Sequence, residues 1–90
     1  MPIGGGGARI KSIQRGVIQL NGVTSNTAAI TAVDTTKAEL RLLGCQCNTA
    51  ATALSDLSTY LTLTNATTVT ATRLSSTGIV FVSFEVTEWY

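Results

Sequence analysis

The sequence predicts an all-β protein: a single antiparallel β-sandwich or small β-barrel of about six strands behind a flexible glycine-rich N-terminal arm. Three observations lead there. Sixteen Thr, seven Val and six Ile fill a chain of 90 residues with side chains that branch at Cβ. Branching stiffens χ1 and suits a pleated, half-buried surface better than a helix. Apolar residues alternate with polar ones over short runs, and turn-forming residues punctuate those runs at regular spacing. The single Pro, Pro2, interrupts none of them.

Residues 1–8 form the arm, with four consecutive glycines from Gly4 to Gly7. Glycine loses the most conformational entropy on ordering. Two readings stand: a disordered tail, or an arm that orders against a neighbouring subunit. Residues 9–90 form the domain. From Arg9 to Leu20 the chain alternates, placing Ile18 and Leu20 on one face and Val17 and Gln19 on the other. Asn21-Gly22 is a turn pair, because both residues tolerate positive φ. Thr27 to Val33 reads as a second strand with Ala28, Ile30 and Ala32 on one side. Asp34-Thr35-Thr36 ends it through side-chain-to-backbone bonding.

Ala38 to Cys47 has helix-forming residues at its start. Strand alternation nevertheless sorts it cleanly, with Leu40 and Leu42 inward and Glu39 and Arg41 outward. Asn48 to Ser58 reads as a loop. Tyr60 to Thr64 and Thr67 to Arg73 flank Asn65-Ala66 and make a two-residue hairpin. Leu61 and Leu63 point one way and Tyr60, Thr62 and Thr64 the other, while Val69 and Ala71 face the core with Thr68, Thr70 and Thr72 outward. Ser75 to Gly78 turns the chain into the clearest strand, Ile79 to Trp89. Val80, Val82, Phe84 and Val86 form one apolar row there, and Ile79 and Phe81 extend cover to the second face of its first half.

The composition removes most catalytic options. There is no His, so a conventional Ser-His-Asp triad is absent, and Asp34, Glu39, Asp56, Glu85 and Glu88 are scattered. Gly4 to Gly7 are followed by no Lys-Ser or Lys-Thr and do not make a phosphate loop. Cys45-Gln46-Cys47 lacks the ligand count and spacing of a zinc site, and is not a C-x-x-C redox motif. The expectation is two small buried thiols, with bridging to the same cysteines of another subunit as the alternative. We expect no cofactor, no metal and no enzyme activity.

Charge narrows the partners. Net charge is +1, and only Arg9, Lys11 and Arg15 gather locally, with Lys37, Arg41 and Arg73 elsewhere. Nucleic-acid binding needs a denser basic face, so no such partner is expected. No apolar run reaches the length of a transmembrane helix. The first residues lack the charged and apolar regions of a signal peptide, so we expect synthesis in a cytoplasm and no membrane partner. Charged residues are 12% of the chain, about half the usual share. A neutral, hydroxyl-rich surface favours packing against other protein. Trp89 and Tyr90 end the last strand, and either pack on the domain's own sheet or anchor a contact with a neighbouring subunit.

Four stretches carry a resemblance. They are Ile10-Lys11-Ser12-Ile13-Gln14-Arg15-Gly16, Thr27 to Asp34, Leu63 to Arg73, and Val82 to Glu88. Together they resemble small virion proteins of tailed bacteriophages over residues 10–88. The likeness lies in β-strand phrases and not in a catalytic signature. It implies a structural protein of the virus particle. The preferred role is a capsid decoration (cement) protein on the outer surface of the head. It would act as a homotrimer bracing neighbouring copies of the major capsid protein. Residues 2–15 would dock on the shell, with Ile3, Arg9, Lys11, Arg15, Trp89 and Tyr90 as the contact residues. The alternative is a tail-tip or fibre module that meets the host surface through Tyr60, Thr62, Thr68, Thr70 and Thr72.

Overall fold

A computed structural model describes residues 9–48 and 58–90. Six strands run through them: β1 (Ile10–Asn21), β2 (Ser25–Ala29), β3 (Ala38–Asn48), β4 (Thr59–Asn65), β5 (Thr68–Arg73) and β6 (Ile79–Trp89). They form two three-stranded antiparallel sheets. The first has the order β1-β6-β3 and the second β2-β5-β4. The sheets pack face to face as a small β-sandwich, which decides between sandwich and barrel. The glycine arm and most of the expected loop at 48–58 lie outside the described residues.

Period-two alternation builds the core. β6 lies between β1 and β3 and turns Val80, Val82, Phe84 and Val86 inward, all fully or nearly fully buried. β1 contributes Ile18 and Leu20, and β5 meets them from the other sheet with Val69 and Ala71. Ala28, Ile30, Leu40, Leu61 and Leu63 pack around this cluster. Each such aliphatic burial stabilises by about 1.5–3 kcal/mol. Gly16 lies opposite Phe84 in the β1–β6 ladder. A Cβ at Gly16 would stand 2.8 Å from Phe84 Cζ, so the glycine is what lets the ring lie across β1.

Three sequence expectations change. The second strand is shorter and earlier than Thr27–Val33. After Ala29 the chain leaves the sheet, because the Gln14 side chain takes both backbone polar groups of Thr31. Gln14 Nε2 donates to Thr31 O at 2.9 Å, and Thr31 N donates to Gln14 Oε1 at 2.8 Å. Ile30 N and Val33 N then bond to Thr67 O and Ala66 O around the β4–β5 turn, and Val33 swings into the core. Leu42 keeps its inward register opposite Phe84 but is 46% exposed. Cys45 and Cys47, expected as buried thiols, are both exposed. The shared reason is position: β3 is an edge strand, and a bulge between Leu42 and Gly44 lifts it at the flank.

Two buried charges fasten the ends of the sandwich. Arg73 is 2% exposed. Its Nε donates to Val23 O, its Nη1 to Thr77 O and its Nη2 to Gly78 O, at 2.8–3.0 Å. One guanidinium thereby joins two of the crossovers between sheets, β1–β2 and β5–β6. Gly22 and Gly78 hold φ near +67° in those crossovers, and Gly22 N donates to Gly78 O. At the opposite end, Glu88 Oε2 accepts from Asp34 N at 2.8 Å and lies 4.0 Å from Lys11 Nζ.

Candidate interaction surface

The outward-facing residues of the β1-β6-β3 sheet form the most distinctive surface of the molecule. β1 presents Ile13, Arg15 and Val17; β6 presents Thr87, Glu85, Ser83 and Phe81; β3 presents Glu39, Arg41 and Gln46. Register brings them into cross-strand rows: Ile13-Thr87-Glu39, Arg15-Glu85-Arg41 and Gln19-Phe81-Gln46. Ile10, Ile13, Val17 and Tyr90 are each 45–69% exposed.

At the centre of this face Glu85 stands between two arginines. Arg15 Nε is 2.9 Å from Glu85 Oε2, and Arg41 Nη1 is 4.0 Å from Glu85 Oε1. Arg41 also reaches Glu39 at 3.5 Å. The arginine side chains are mostly exposed and the Glu85 side chain is 12% exposed, so the acid is the more buried partner and the two cations flank it on the solvent side. An open groove of about 810 Å³ runs beside this cluster between Ile10, Ile13, Trp89 and Tyr90. Among the described residues the Trp89 Nε1 is buried without an acceptor. Further along the same face a second depression of about 420 Å³ lies between Val17, Phe81, Ser83 and Gln46.

The six residues expected to make contacts fall out as follows. Arg15, Trp89 and Tyr90 line the groove together. Arg9 sits beside them through its carbonyl, which accepts from Tyr90 N at 2.9 Å. Lys11 points instead toward Glu88, at the end of the buried row. Ile3 lies outside the described residues. Sequence reasoning missed Ile10, Ile13, Glu39, Arg41 and Glu85. A signal existed within β1, where Ile13, Arg15 and Val17 alternate outward, but the contribution of β3 depends on its pairing with β6.

The opposite sheet turns out threonines and Tyr60, which is 59% exposed. Thr64 and Thr70 hydroxyls bond to each other at 2.5 Å. Among the described residues no group of three His, Cys, Asp or Glu is placed to hold a metal ion. Compared with protein-family models, with curated proteins and with solved structures, the chain matches none of them.

Proposed function

We propose that this chain is a structural protein of a bacteriophage virion, a decoration protein that binds the outside of the head. The observation that carries the reading is the outward face of the β1-β6-β3 sheet. It combines exposed Ile10, Ile13, Val17 and Tyr90 with a groove beside the Arg15-Glu85-Arg41 row. Contiguous apolar patches framed by polar groups are what protein-binding surfaces present. Trp and Tyr are the residues most enriched as binding anchors. The face is net neutral across Arg15, Arg41, Glu39 and Glu85, so attraction would come from area and fit rather than from long-range charge. The likeness of the strand phrases to small phage virion proteins supplies the partner: the major capsid protein.

Immunogold electron microscopy of purified particles tests the location. Gold over the head supports decoration. Gold confined to the tail would replace it with the tail-fibre reading, for which exposed Tyr60 beside the threonine face is the supporting feature. Unlabelled particles would overturn both. Val17→Asp tests the face itself. The side chain is exposed, so the variant should melt like the parent yet lose particle association; retained association would remove this sheet from the contact.

A further inference from the structure

The flank where β3 meets β4 brings the outer strands of the two sheets side by side. β3 is 11 residues long, and among the described residues it pairs with β6 alone, along one of its edges. β4 is likewise an edge strand. Cys45 Sγ lies 2.9 Å from Thr59 Oγ1, which puts the two open edges on one flank. Exposed on β3 there are Leu42, Leu43, Cys45 and Cys47. An open strand edge with exposed apolar side chains is a template for pairing with another chain.

The two thiols say which chain. Cys45 and Cys47 oppose Val82 and Val80, so both point to the same face of β3. Residues two apart on a strand are separated by about 6.6–6.8 Å with parallel Cα–Cβ bonds. A disulfide needs Cβ atoms about 3.5–4.5 Å apart. The pair cannot close on itself while β3 remains a strand, and the chain has no third cysteine. Directly opposed residues of antiparallel strands have Cα atoms about 4.5–5.5 Å apart, inside the range that a disulfide spans.

We infer that two copies join β3 to β3 across a two-fold axis at Gln46, setting Cys45 of each copy opposite Cys47 of the other. The bulge at Leu43 marks the end of this short ladder. Oxidation by a small disulfide locks it. A protein thiolate attacks the small disulfide and releases one small thiol. The opposed protein thiolate then attacks the mixed disulfide and releases the second, so each bridge forms as two protein thiols and one small disulfide become one protein disulfide and two small thiols. The inference does not rest on the virion reading. Its symmetry is two-fold, whereas the sequence led us to expect three copies, and product mass separates these.

The test is oxidation with glutathione disulfide followed by non-reducing electrophoresis and intact mass. The parent should give a covalent dimer of about twice 9.4 kDa, with peptides linked Cys45 to Cys47. Cys45→Ser alone and Cys47→Ser alone should stay as monomers or glutathione adducts. Mixed one to one, they should form a covalent heterodimer through Cys47 of one and Cys45 of the other. Single variants that dimerise as readily as the mixture would overturn the register. A parent that yields only adducts, an internal disulfide or a trimer would overturn the pairing.

Discussion

Gly16→Ala is the sharpest test of how the core is assembled. The new methyl would lie 2.8 Å from Phe84 Cζ and 2.9 Å from Cε2, where ordinary contact begins at 3.4 Å. The ring must therefore retreat by about 0.6 Å, the difference between 3.4 and 2.8 Å. Phe84 is 2% exposed and sits in the middle of the central strand, so it retreats only into Val82, Val86 and the facing sheet. Overpacking of this kind costs about 1–3 kcal/mol. The lower backbone entropy of alanine in the unfolded chain offsets about 0.4–1 kcal/mol. Gly16 has no positive φ to add strain. The net loss is roughly 1–2 kcal/mol, or a Tm lower by roughly 5–15 °C for a domain of this size. Thermal melts followed by circular dichroism measure it. Phe84→Leu removes the clashing ring atoms, so the double variant should be more stable than the sum of the two single losses by about 1 kcal/mol. Strict additivity, or an unchanged Tm for Gly16→Ala, would refute the close-approach argument.

Two further outcomes follow from the buried charges and turns. Arg73→Met deprives the carbonyls of Val23, Thr77 and Gly78 of a shared donor. It should lower stability by about 3 kcal/mol or more in urea titration, with Arg73→Lys intermediate because an ammonium lacks the planar fork; a Met variant within about 0.5 kcal/mol of the parent would contradict the clamp. The Asp34 carboxyl is held below its ordinary value of 3.8, first by the Thr36 hydroxyl and then by the Thr36 backbone N–H. A depressed folded pKa means stability that is present above the unfolded value and lost as pH falls through the folded one. The Tm gap between parent and Asp34→Ala should thus be constant near neutrality and close below about pH 4; a gap unchanged down to pH 2 would remove the turn from the acid response.

Much of the sandwich is local information. The row Val80-Val82-Phe84-Val86, the pair Ile18 and Leu20, and the Leu61, Leu63, Val69 and Ala71 set are all legible from alternation, because a strand's side-chain period is two and one face must leave water. The hairpin between β4 and β5 is legible too, although its turn is Ala66-Thr67, one residue beyond the expected Asn65-Ala66, after a register shift between Leu63 and Asn65. The Asn65 side chain accepts from Thr67 N and Oγ1, a bond made within three residues. The candidate surface was only half legible. Arg15, Trp89 and Tyr90 stand out in the chain, but Arg41 and Glu39 join them only because β3 pairs with β6 across more than 40 residues.

The sequence by itself determined the class of structure and the identity of the core, since periodicity and Cβ branching act residue by residue. Tertiary structure decided what each edge and end would do. Arg73 reads as one more surface cation until two crossovers converge on its guanidinium. Residues 30–33 continue a strand pattern that Gln14, 17 residues upstream of Thr31, interrupts. Cys45 and Cys47 carry the composition of buried thiols and become exposed because β3 ends the sheet. Alternation fixes which face a side chain takes. Whether that face is covered depends on which strand lies next to it, and that is a property of pairing between distant segments.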